Sequence, residues 1–214
     1  MKAALLIAIA LTAGNSLKQA ASHKSKPAPA LYVSQKFGLV MKVPSGLSYC
    51  PLPRGWSGDE EGTVLFLKPP SACLPPRASS ITRPTEGFVP SITLRYHANQ
   101  SRNDAYDGAI PSARTSEEFA RQSCPGAAAS PDLKLFDQPA MMCRAELSDD
   151  KVRILLMAVY DSARSKLVLT LMTTHDRLAD DTRTLSALAS SITACQPSSG
   201  KQKGEAACPK GNWW

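Results

Sequence analysis

The chain has 214 residues, a formal charge of +7 and six cysteines. That charge does not make the folded part a polyanion binder. From Phe37 to Cys195 there are 17 basic and 17 acidic residues, and the whole excess sits at the two ends. Sequence-independent attraction to nucleic acid needs clustered lysine and arginine, so no nucleic-acid partner is expected, and only the ends offer charge to lipid headgroups or cell-wall anions.

In chain order, Lys2 is followed by a mostly apolar run through Ala13. This is the n-region and h-region of a secretory signal, and the run falls short of the roughly 20 residues that a spanning helix needs. Residues 1–21 are therefore expected to be a signal peptide cleaved between Gly14 and Ala21. An uncleaved anchor is the alternative. With the signal removed no transmembrane span is expected, and the destination is the periplasm or the exterior. Residues 22–36, which open Ser-His-Lys-Ser-Lys-Pro-Ala-Pro-Ala, read as a Pro/Lys-rich linker with too little apolar content to pack. Residues 37–195 are the size of a single globular domain, and 196–214 form a polar tail ending in Trp213 and Trp214.

Within the domain, Phe37 to Val43 reads as a strand stopped by Pro44-Ser45-Gly46, and Thr63 to Lys68 and Ser91 to His97 read as further strands. Between Pro69 and Pro90 the prolines argue for a long loop. Thr115 and Glu118 have capping-box spacing and open a short helix toward Ser123. Leu133 to Phe136 and Met141 to Leu147 are sheet candidates. Lys151 to Tyr160 and Lys166 to Thr174 are rich in strand formers and make a hairpin. From Asp176 the period changes: Leu178, Leu185, Leu188, Ala189 and Ile192 fall on one stripe, predicting a helix of about four to five turns with Thr174 or His175 as its cap. The expected class is α+β, a single antiparallel sheet with a long C-terminal helix packed on it and disulfides as staples.

Export makes cysteine oxidation the default. Six cysteines allow 15 connectivities; pairing nearest neighbours gives Cys50 with Cys73, Cys124 with Cys143 and Cys195 with Cys208. Each such loop would contribute about 3 kcal/mol by chain entropy. No Cys-x-x-Cys occurs and no cysteine has a histidine at ligand spacing, so a structural role is expected, with no metal and no cofactor.

Two resemblances follow from these residues. The run Gly38 to Leu47 through Pro44-Ser45-Gly46, together with the passage from Leu167–Met172 into a helix ending Leu188-Ala189-Ser190-Ser191-Ile192, resembles the PsbP/Mog1-like fold. There a first strand enters a Pro-x-Gly turn and the last strand passes directly to a helix. The match covers about 40 residues, and Leu47 stands where a tryptophan commonly follows that turn. The whole chain also resembles uncharacterised exported proteobacterial proteins, which implies a compartment and no chemistry.

Catalytic parts are sparse. His23 falls in the linker, leaving His97 and His175, and Gly55-Trp56-Ser57-Gly58 only approximates a nucleophile elbow. No catalytic residue is assigned. The binding candidates are the glycine-bounded acidic loop with Trp56, Asp59, Glu60 and Glu61, which would be stapled by Cys50–Cys73, and the terminal Trp213 and Trp214. A solvated connection and a tail folded back on the domain are the bland alternatives. Asn99-Gln100-Ser101 is a formal sequon. The leading expectation is a non-catalytic exported binding protein, as an inhibitor or immunity-type partner of an envelope-acting effector. An envelope-attached assembly factor and a hydrolase are the alternatives, and the partner is expected to be an envelope or secreted protein.

Overall fold

A computed structural model of the chain describes residues 23–50, 60–74, 83–84, 86–98, 113–160, 165–196 and 207–209. The signal segment, Trp56, Asp59, Trp213 and Trp214 lie outside them. In chain order the elements are β1 (Lys26–Pro27), β2 (Leu31–Ser34), β3 (Leu39–Lys42), β4 (Ser48–Tyr49), β5 (Glu60–Phe66), β6 (Cys73–Leu74), β7 (Arg83–Pro84) and β8 (Ser91–Ala98). Helix α1 (Ser116–Ser123) follows, then β9 (Ala128–Leu135), β10 (Gln138–Glu146), β11 (Lys151–Tyr160), β12 (Ser165–Thr174), a 3-10 turn (His175–Arg177), α2 (Leu178–Ser190) and β13 (Thr193–Ala194).

The α+β class holds, but the expectation of a single sheet is corrected. An eight-stranded antiparallel sheet in the order β1-β4-β5-β8-β12-β11-β10-β9 is accompanied by a three-stranded sheet β13-β3-β2 and the pair β6-β7. Strands β1 and β2 come from the segment read as a linker and β6 and β7 from the segment read as a loop. In residues 22–36, Tyr32 and Val33 are each 1% exposed and Ser34 is buried, and β2 pairs with β3 along its length, Leu31 opposite Lys42 and Ser34 opposite Leu39. The linker reading failed because three apolar residues in a row, Leu31-Tyr32-Val33, suffice for a short strand once a partner edge is available. The folded body thus begins by His23, not at Phe37.

Strands β11 and β12 carry apolar residues on both sides because both faces of the large sheet are covered there, whereas β8 alternates Ile92, Leu94 and Tyr96 with Ser91, Thr93 and Arg95. On one face Ile92, Leu94, Tyr96, Ile154, Leu156, Leu167, Leu169 and Leu171 meet Leu39 and Met41 of β3 and Leu185, Leu188 and Ala189 of α2. On the other, Leu155, Met157 and Val168 meet Phe119 and Ala120 of α1. Each fully buried leucine contributes about 1.5–3 kcal/mol. The hairpin β11–β12 pairs from Lys151 opposite Thr174 to Tyr160 opposite Ser165.

Local chemistry sets the element ends. Thr115 caps α1: its Oγ1 accepts from the Glu118 N–H at 3.1 Å, while the Glu118 carboxylate accepts from the Arg114 N–H at 2.7 Å, one residue before the N-cap that a standard box would satisfy. The C-terminal helix is shorter than its stripe suggested, 13 residues after the 3-10 turn, and Thr174 makes no side-chain cap bond, its hydroxyl donating instead to Asp176. Phe136 was expected to end a strand. With Asp137 it forms the β9–β10 turn at positive φ, 52° and 61°, matching a type I′ turn, and its ring stacks on Tyr160 at 4.6 Å.

Three disulfides are formed: Cys50–Cys73, Cys124–Cys143 and Cys195–Cys208, the nearest-neighbour pairing. The second joins the end of α1 to β10. The third draws the tail back to β13, where the Cys208 N–H donates to the Gln196 carbonyl and Gln35 donates to the Pro209 carbonyl at 2.7 Å.

Candidate functional site

The N-terminal strands create a groove at the β1 edge of the large sheet. Its walls are the segment 25–30, the turn 43–48 and Pro69, and it encloses about 580 Å³, within the roughly 300–1,000 Å³ typical of small-ligand sites. Three prolines, Pro27, Pro44 and Pro69, contribute, with Ala28, Val43 and Leu47 between them. The polar lining is three serines, Ser25, Ser45 and Ser48, and the Lys26 side chain.

The groove is cross-tied. His23 and Cys73 exchange two backbone hydrogen bonds, at 3.0 and 2.6 Å, so the N-terminal wall is fastened to the Cys50–Cys73 disulfide. Ser25 donates to the Pro70 carbonyl at 2.8 Å. The Ala28 N–H donates to Leu47 O, and the Val43 N–H to Ala30 O, both at 2.9 Å. Pro27 and Lys26 stand opposite Ser48 and Tyr49. Gly46 supplies the turn at φ 86°, where a residue with a Cβ would be strained. Burial raises the Tyr49 phenol pKa above its ordinary value, because a phenolate would lose its hydration there.

Of the residues singled out in the sequence, Glu60 and Glu61 are not in a loop. Their backbones open β5, paired with His97 and Tyr96 of β8. At Gly62, which follows, a Cβ would lie 2.1 Å from the Leu94 carbonyl oxygen. Trp56, Asp59, Trp213 and Trp214 lie outside the described residues. The His175 Nε2 lies 2.8 Å from Glu146 Oε2, and Glu146 Oε1 accepts from Arg144 at 2.7 Å. Among the described residues no cluster of three metal-ligating side chains occurs.

A second concentration of charge lies inside the sheet. Lys166, 0% exposed, holds its ammonium 5.2 Å from the Phe119 ring centroid, a cation–π arrangement. Arg95 is on the neighbouring strand and on the same face, since it pairs with Val168, two residues along β12. Both have further partners within the fold, which makes them supports of the β8–β12 centre.

Sequence reading missed the groove because its walls come from residues separated by up to 44 positions, Ser25 to Pro69. The signal that was available is Pro27-Ala28-Pro29-Ala30, small apolar residues in an extended run; proline fixes φ in the extended range and suits an edge strand. No described helix is long and apolar enough to cross a membrane. Set against known proteins, the chain matches no family model and no curated sequence.

Proposed function

We propose that the chain is a non-catalytic binding protein of an oxidising compartment, periplasmic or extracellular, that takes its ligand at the β1 edge of the large sheet. The observation that carries this reading is the 580 Å³ groove, whose two walls are tied to each other and to the Cys50–Cys73 disulfide. A preformed cleft loses little ordering entropy on binding, and the staple is the kind of constraint that persists where thiols are oxidised. The groove offers apolar surface, hydroxyls and one ammonium, a set suited to holding a ligand. The PsbP/Mog1-like fold is part of the proposal. It is supported by β3 running into the Pro44-Ser45-Gly46 turn and by β12 passing through one 3-10 turn into α2.

The test uses the mature, oxidised protein immobilised against a whole envelope extract containing proteins and lipids. A second bait, Ala30→Trp, fills the groove from an exposed lining position. A component retained by the wild type and lost with the filled groove supports the reading. Identical retention by the two baits, or none by either, rejects it.

A further inference from the structure

The charged residues nearest in sequence to the groove's lining residues are lysines. From His23 to Cys50 the chain carries Lys24, Lys26, Lys36 and Lys42 and no carboxylate, and Lys68 precedes the lining residue Pro69. Lys26 lines the groove, Lys24 is two residues away, and Lys42 and Lys68 each adjoin a lining residue. These four are exposed, and among the described residues none of them enters an ion pair. Glu86, the carboxylate that reaches this part of the loop, accepts from Ser71 through both oxygens, at 2.8 and 3.2 Å. Glu86 keeps its negative charge, but the four lysines outnumber it, so the rim favours an anion.

The walls say what the anion is attached to. A bound peptide needs backbone partners, and five of the twelve lining residues offer it no free N–H: Pro27, Pro44 and Pro69 have none, while those of Ala28 and Val43 are already donated to Leu47 and Ala30. An alkyl chain needs no hydrogen bonds and is stabilised by contact with Val43, Leu47, Ala28 and the proline rings.

We propose that the groove binds a free single-chain anionic amphiphile, an alkyl carboxylate, with its chain along these apolar walls and its carboxylate at the Lys26 ammonium. This rests on the binding reading above and names the ligand class for the same site. No bond is made or broken.

The experiment is calorimetric titration of the mature, disulfide-intact chain with octanoate, decanoate and dodecanoate below their micelle concentrations. Dodecanol serves as the uncharged control and phosphatidylglycerol vesicles as a membrane control. Saturable one-to-one binding is expected, tightening roughly fourfold per methylene. Lys26→Glu should weaken dodecanoate about fivefold or more at low salt, and the effect should shrink as salt rises. Ala30→Trp should abolish binding; Lys26→Glu, at an exposed side chain, keeps the test valid if that variant misfolds. Absence of dodecanoate binding, equal affinity for dodecanol, or vesicle binding that ignores both substitutions would overturn the proposal. If dodecanoate fails while the envelope capture still depends on an open groove, only the ligand class is wrong; if both fail, the binding reading falls with it.

Discussion

Ser191 and Lys42 are joined as if they were partners in a strand ladder, although Ser191 is the C-cap of α2. The Lys42 N–H donates to Ser191 Oγ at 3.1 Å, and Ser191 Oγ lies 2.9 Å from the Lys42 carbonyl and 2.7 Å from that of Leu188. Thr193 pairs with Val40 in the β13–β3 ladder, so extending that antiparallel register backward puts Ser191 opposite Lys42. The helix ends where the ladder would begin, and one hydroxyl does the bonding that the backbone cannot. Ser191→Ala should lower stability by about 1–2 kcal/mol, seen as a lower urea midpoint with an unchanged m-value. An unchanged midpoint would mean that the hydroxyl is dispensable.

Asp181 is 2% exposed. Its carboxylate accepts from the Thr173 hydroxyl at 2.5 Å and from Arg177 at 2.9 and 3.2 Å, fastening the first turn of α2 to β12. Removing one partner of a buried pair leaves the others unsatisfied, with losses of about 3–5 kcal/mol when both are enclosed. The Arg177 side chain is 38% exposed and can return to water, so Asp181→Ala should lose about 2–3 kcal/mol and Asp181→Asn less. Thermal unfolding of the two variants should rank them in that order; equal losses would show that charge, not acceptor geometry, holds the turn.

Gly62 is required by proximity. With a Cβ 2.1 Å from Leu94 O, the strands β5 and β8 must separate before any side chain fits, and overpacking of this kind costs about 1–3 kcal/mol. Gly62→Ala should show that loss, together with faster amide exchange along the β5–β8 ladder than in β11–β12. Uniform protection across both ladders would contradict it.

What was readable in the sequence was what depends on near neighbours. The β11–β12 hairpin, the Thr115 cap, the Leu185–Leu188–Ala189 stripe and the three disulfide pairs each connect residues close along the chain. The groove is the opposite case. Its N-terminal wall looks like a linker because Lys24, Lys26 and two prolines dilute the apolar residues, and only the distant turn 43–48 and Pro69 give those residues something to pack on. The β9–β10 turn was hidden for another reason: Phe136 and Asp137 occupy positive φ without glycine or asparagine, and the Tyr160 stack that accompanies Phe136 comes from a strand not adjacent in sequence.

The Tyr49 phenol gives a pH dependence with a definite sign. Burial raises its folded pKa above 10.0, so as pH climbs past 10 the unfolded chain ionises first and gains stability relative to the fold. The contribution is fully present below the unfolded pKa and is lost as pH rises through the folded one. Wild-type stability should fall more steeply above pH 10 than that of Tyr49→Phe, which has nothing to ionise there. Parallel curves would remove Tyr49 as the source.

Thr63 offers a gain. It is 1% exposed, sits opposite Leu94 between β5 and β8, and its Oγ1 is buried with no hydrogen-bond partner among the described residues. An unsatisfied buried hydroxyl costs about 1–3 kcal/mol relative to a satisfied or absent one. Valine has nearly the same shape, prefers strands and places a methyl where the hydroxyl is. Whereas Thr→Val at a bonded position destabilises, Thr63→Val should stabilise by about 1 kcal/mol, readable as a higher urea midpoint. A loss instead would mean that the hydroxyl is satisfied in solution, and the β5–β8 seam would then have to admit a donor or acceptor at that point.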